Sequence, residues 1–177
     1  MKHFALKFID IMIGIVLGLG FQWWPELHEP WQYAAFFFAY LSIIDYWIDY
    51  IPALRKFPPK NEVDLMADVG ILFAMFLLIY AAQLTIVYFL TVFAIFRVID
   101  LVWMLRIRYE YSLAPADRTF FDTWFRFEII ETVVAGVAAG LTLNFGWPAA
   151  IVLTAFIIFR IAMRILASFT YKKVHFA

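Results

Sequence analysis

Ten ionisable side chains interrupt stretches of this chain that are otherwise apolar: Asp10, Asp45, Asp49, Asp68, Arg97, Asp100, Glu128, Glu131, Arg160 and Arg164. Charged groups in such surroundings do one of three things: pair with one another, move protons, or attract an ion. The seven acids outnumber the three arginines. Pairing each arginine once, for instance Arg97 with Asp68 and Arg160 with Glu131, leaves four carboxylates to be protonated, hydrated or turned towards a cation. An unpaired charge at mid-bilayer costs roughly 2.5–3.5 kcal/mol on insertion scales, so these groups must face one another, water or the interface. Asp49 and Arg164 sit near enough to the span ends to snorkel.

Other chemistries lack their residues. The chain has no cysteine, which removes disulfides, thiol nucleophiles and thiolate metal sites together. His3, His28 and His175 stand near the termini or in a loop and never at ligand spacing. Gly18-Leu19-Gly20 follows no strand and is no dinucleotide fingerprint, and no phosphate-binding loop or zincin motif occurs. The expectation is a non-enzyme with no cofactor, no bound metal and no nucleic-acid partner.

The elements that must position the charges follow from composition. The 177 residues are 66% hydrophobic, with mean hydropathy +0.85, more apolar than a soluble domain of this length hides in its own core. Six runs approach the roughly 20 residues that cross a bilayer: Phe4–Trp24, Trp31–Ala53, Leu65–Ala82, Leu84–Leu105, Trp124–Leu143 and Trp147–Phe169. They predict an all-α membrane protein of six transmembrane helices in three hairpins, one polytopic domain over residues 1–177. Soluble connectors are expected at Pro52–Asp64 and Ile107–Thr123, the second as a loop or an amphipathic helix.

The loop charges set an orientation. Lys2, Lys7, Arg55, Lys56, Lys60, Arg106, Arg108, Arg118, Arg126, Lys172 and Lys173 all fall on the side of the two termini, and the opposite loops carry no Lys or Arg. The positive-inside rule makes both termini cytoplasmic. Trp23, Trp24, Trp31 and Trp147 would mark the outer interface, and Trp47, Trp103 and Trp124 the inner one. The first span has an acid and no small-residue cleavage site, so it reads as a retained helix. The expected location is an integral membrane, the inner or plasma membrane if the source is bacterial.

Two spans repeat a pattern at four-residue steps, which keeps residues on one helix face. The first carries Asp10, Gly14, Gly18 and Gln22; the fifth carries Glu128, Thr132, Gly136, Gly140 and Asn144. Both then reach a Trp-Pro step. Ile95-Phe96-Arg97-Val98 and Ile158-Phe159-Arg160-Ile161 echo one another in the fourth and sixth spans. Small residues in a row suit close helix packing. With an acid at one end and an amide at the other, the first row also suits the wall of a narrow polar passage.

The first two spans resemble prokaryotic relatives of the lysosomal six-helix potassium channel family. Lys7-Phe8-Ile9-Asp10 stands where that family has a basic residue before Phe-Ser-Asp, and Tyr46-Trp47-Ile48-Asp49-Tyr50 stands where it has its second-helix tryptophan and a histidine three residues on. Ile9 replaces the serine and Tyr50 the histidine. The resemblance implies that Asp10 is the motif acid, Ile15 the hydrophobic constriction and Trp47 the second-helix tryptophan.

Together these readings predict a passive cation channel subunit, potassium being the ion the resemblance implies. Its pathway would run along Asp10, Gly14, Ile15, Gly18 and Gln22, with monovalent cations and further copies of the chain as partners in the bilayer. The alternatives are an accessory or structural subunit of a larger membrane complex, and the substrate-binding membrane subunit of a small-molecule importer.

Overall fold

A computed structural model describes the backbone of residues 2–170 and the side chains from Lys7 to Thr170; Lys172, Lys173 and His175 lie outside the described residues. Among these residues the chain is helical throughout, with no strand. The helices are α1 (Lys2–Gly20), extended by a 3-10 helix at Phe21–Glu26, α2 (Pro30–Lys56), α3 (Glu62–Ala81), α4 (Ile86–Glu110), α5 (Pro115–Phe145) and α6 (Ala149–Thr170). Six of them, counting α1 with its extension, are long and apolar enough to cross a membrane.

Local chemistry explains the boundaries. Pro30 opens α2 and Pro115 opens α5, in the first turn where a missing N–H costs nothing. At the start of α2, Gln32 Oε1 accepts from the backbone N–H groups of His28 and Glu29 at 2.8 and 2.9 Å. Asn61 and Asp64 form a reciprocal capping box at α3, and Thr85 caps α4 through the Tyr88 amide. Gly146 ends α5 at φ 64°, the left-handed conformation in which glycine lacks the steric cost of a Cβ.

The structure shortens one expected connector. In the stretch Ile107–Thr123, expected as a loop or an amphipathic helix, α4 runs to Glu110 and α5 begins at Pro115, which leaves residues 111–114 between them. The reason is packing: Phe57, Trp103, Phe120, Phe121 and Trp124 meet with ring centroids 5.2–6.2 Å apart, burying the first turns of α5. At 1.5 Å per residue α5 is about 46 Å long, well beyond a hydrocarbon core of about 30 Å. Polar contacts gather at the same end. Arg106 bridges Asp64 at 2.8 Å and Glu110, Lys56 reaches Asp117 at 2.7 Å, and Lys60 Nζ donates to the Glu110 carbonyl at 2.6 Å.

Helix α2 is the most enclosed, and α1, α5 and α6 present most of their windows outward. The most extensive helix contact runs between α4 and α5. The core is aromatic, with Phe36, Phe38, Phe89, Phe93, Phe96 and Phe156 all buried. Large apolar side chains such as Leu41, Phe73, Tyr88 and Ile158 point outwards, as a lipid-facing surface requires.

Candidate functional site

Seven of the ten embedded charges form a single alternating chain. Its order is Glu128, Arg97, Glu131, Arg160, Asp45, Arg164, Asp49. Arg97 is 1% exposed; its NH1 lies 2.8 Å from Glu128 Oε1, and its Nε lies 3.3 Å from Glu131 Oε2, within ion-pair distance though outside hydrogen-bond geometry. Glu131 Oε1 meets Arg160 NH1 at 3.0 Å, and Arg160 NH2 stands 3.8 Å from Asp45 Oδ2. Arg164 then holds Asp45 at 2.8 Å and Asp49 at 2.5 Å. Four helices contribute: α2, α4, α5 and α6.

The local sequence explains each placement. Glu128 and Glu131 are three residues apart, one face of α5 turned to α4, and Asp45 and Asp49 are four apart on α2. Arg160 and Arg164 repeat that spacing on α6. The Arg97 guanidinium lies 4.7 and 4.8 Å from the rings of Phe93 and Phe96, which shield it further. Such a chain holds register, because removing any member strands its neighbour in a low-dielectric layer.

One expected pair is not formed. Arg97 was expected opposite Asp68, but the arginine turns towards α5, where two carboxylates share it, and Asp68 accepts instead from the Tyr50 hydroxyl. Asp100 accepts from the Tyr46 hydroxyl at 2.7 Å. Tyr46 and Tyr50 stack at 4.9 Å, and each is within one residue of an acid of the chain. These tyrosines are site residues that the charge pattern alone passes over. Their signal is the four-residue spacing on α2, in step with Asp45 and Asp49. Trp124 is a third, donating to Glu128 Oε1 at 3.0 Å.

A cavity of about 30 Å³ lies along the chain, lined by its seven members with Tyr46, Trp124 and Phe127 among its walls. That space holds about two waters, since one needs roughly 10–15 Å³. Buried Glu128 Oε2 and Arg160 Nε have no hydrogen-bond partner among the described residues.

The remaining sequence-selected residues lie elsewhere. Asp10, Gly14, Ile15 and Gly18 stand on the outward face of α1, while Ile9, Ile13 and Val16 on its other face are buried; Gln22 is exposed too but lies in the 3-10 helix at Phe21–Glu26, where the four-residue α-helical step no longer holds. A Cβ added at Gly14 or Gly18 would meet nothing within 4 Å. Among the described residues no other helix packs against Gly14 or Gly18, so these two glycines form no seam with a described helix. Asp10 Oδ1 accepts from the Trp47 indole at 3.2 Å. The glycine that permits close approach is Gly20, where a Cβ would lie 2.5 Å from the Tyr40 hydroxyl and 2.9 Å from Ile79 Cδ1. The corresponding row on α5 is equally open at Gly136 and Gly140.

The chain matches no family model, no curated protein and no solved structure.

Proposed function

We propose that this chain is a subunit of a passive cation channel, built from copies of itself around α1, with potassium as the ion to test first. The carrying observation is the uncovered row Asp10, Gly14, Gly18 and Gln22, which is polar at both ends, small in the middle and backed by a firmly buried opposite face. A polar row facing acyl chains is costly, and a row facing its own copies or water is not. Trp47 supports the reading, because its indole fixes the Asp10 carboxylate at one mouth. Ile15, 43% exposed beside the row, supplies an apolar constriction that gates by dewetting.

The frame for this reading is three hairpins with both termini cytoplasmic. Support comes from the segregated loop charges and from the polar contacts joining Lys56, Lys60, Asp64, Arg106 and Asp117 at one end of the bundle. Reporter fusions at Arg118 and Gly146 test it: cytoplasmic signal at the first and external signal at the second are expected.

The test of function is potassium flux from liposomes carrying the purified chain. Wild type should conduct, Ile15→Asn should conduct more because an amide wets the constriction, and Gly18→Leu should block the passage or split the assembly. Absence of flux from folded wild type under every gradient and voltage would leave the accessory-subunit reading. The second open row at Gly136 and Gly140 favours that alternative, because it offers a further small-residue face for docking, and the acid of its row, Glu128, is turned inwards to Arg97.

A further inference from the structure

Most of the cations where α4 hands over to α5 are matched, and Arg118 is not. Lys56 meets Asp117, and Arg106 meets Asp64 and Glu110. Arg108 holds Asp122 at 2.5 Å, and its guanidinium lies 4.5 Å from the centre of the Phe125 ring. Arg118 is exposed and has no ion-pair partner among the described residues. Beside it is a polar cavity of about 300 Å³, lined by Arg108, Tyr111, Ser112, Leu113, Arg118 and Asp122. Two guanidiniums against one carboxylate leave this lining with an excess positive charge. The Tyr111 hydroxyl is already spent on the Pro58 carbonyl, while Ser112 adds an exposed hydroxyl.

Depth and the neighbouring wall narrow the occupant. Arg108 is 22 residues beyond Ile86 on α4, about 33 Å at 1.5 Å per residue and just past a hydrocarbon core of about 30 Å. Where α4 crosses a bilayer, the cavity therefore stands at headgroup depth. On α5, Phe125, Ile129 and Val133 follow Asp122 at steps of three and four, continuing the face of the cavity towards the apolar part of the helix. Ile129 and Val133 are 41% and 58% exposed. A charged recess thus runs into an open apolar stripe.

We propose that this α4–α5 corner binds an anionic phospholipid, its phosphate against Arg118 and Arg108 and an acyl chain along Ile129 and Val133. The proposal rests on the membrane-crossing reading of the helices and is independent of conduction. The excess charge selects an anion, and the planar guanidinium fork suits a phosphate. Arg108 is held in place by Asp122 and Phe125, whereas Arg118 has no tie to break before it turns onto a ligand. A free phosphate would satisfy the guanidiniums and leave the apolar stripe unused. A zwitterionic lipid carries its own cation into a positive lining, where the one carboxylate is already held by Arg108.

The experiment is native mass spectrometry of the full chain in detergent, titrated with phosphatidylglycerol, with phosphatidylcholine of the same acyl chains, or with inorganic phosphate. Saturable uptake of phosphatidylglycerol is expected, with phosphatidylcholine bound about tenfold more weakly and inorganic phosphate displacing neither. Arg118→Gln should lower phosphatidylglycerol affinity about tenfold, the loss of one charge-assisted contact, and leave phosphatidylcholine unchanged. Arg55→Gln removes another exposed arginine, outside the cavity lining, and should change neither. Both variants remove side chains without an ion-pair partner among the described residues, so neither strands a buried charge. Equal affinity for the two lipids or wild-type affinity in Arg118→Gln would overturn the proposal. So would an equal loss in Arg55→Gln, which would mean general surface charge, or displacement by inorganic phosphate, which would mean a free-anion site. None of these outcomes depends on potassium flux through α1.

Discussion

Two regions of this molecule place charge within helices long and apolar enough to cross a membrane, and they handle it in opposite ways. The chain from Glu128 to Asp49 is enclosed: four helices surround it, and each guanidinium touches at least two carboxylates. The α1 row is open, with one carboxylate, one indole donor and two glycines that touch nothing. Enclosure makes charge a structural device, since each member depends on its neighbours. Openness leaves charge available to something outside the chain. The same residue type, aspartate, is thus a strut at position 49 and a surface feature at position 10.

The sharpest way to break this comparison is to remove the centre of the enclosed chain. Arg97→Ala leaves Glu128 and Glu131 facing each other without their shared cation and should cost about 3–5 kcal/mol, read by chemical unfolding in detergent. A loss below 1 kcal/mol would mean that water reaches the chain freely. Tyr50→Phe removes the donor to a carboxylate that is 1% exposed and should cost about 1–3 kcal/mol. The two deletions should add less than fully only if their networks communicate through the Tyr46–Tyr50 stack, which a double-mutant cycle measures.

The glycines separate the two faces of one helix. Gly20→Ala pushes a methyl group into Tyr40 and Ile79 and should destabilise by about 1–3 kcal/mol. Gly18→Ala meets no atom within 4 Å among the described residues and should stabilise the isolated subunit by up to about 1 kcal/mol through helix propensity. If copies assemble on α1, Gly18→Ala will instead lower the oligomeric mass seen by native mass spectrometry. Asp10→Asn is the smallest change. It keeps an acceptor for Trp47 and should shift stability by less than about 1 kcal/mol, while lowering cation flux if the mouth is where proposed.

Much of this was legible in the sequence. Apolar length sets the six helices, and the cost of embedded charge selects Asp45, Asp49, Arg97, Glu128, Glu131, Arg160 and Arg164 as residues that need partners. The partners themselves were not legible, because they depend on how each helix is rotated against its neighbours. Arg97 faces α5 and not α3, a fact set by the long α4–α5 contact between residues remote in the chain. The row at Gly14 and Gly18 looked like a packing seam because spacing reveals a face but not what it meets. Gly20, off that row, makes the close contact. The first turns of α5 fall in the stretch before Trp124 that the sequence leaves open between a loop and an amphipathic helix, because its charges mask Phe120 and Phe121, whose burial is a tertiary event.

The order in which the ribosome delivers these helices gives the alternating chain a timetable. Arg97 is made 31 residues before Glu128, so at about 5–20 residues per second it waits roughly 2–6 s for its first carboxylate. Asp45 precedes Arg164 by 119 residues and waits roughly 6–24 s at that pace. Until α6 arrives, α2 holds acids whose guanidinium partners do not yet exist. A nascent chain stopped before Ala149 lacks Arg160 and Arg164, the guanidiniums that meet Asp45 and Asp49 in the folded chain. Pulse-chase labelling of a truncation ending at Pro148 should show faster turnover than the full chain, and restoring the acids' neutrality with Asp45→Asn and Asp49→Asn should slow it again.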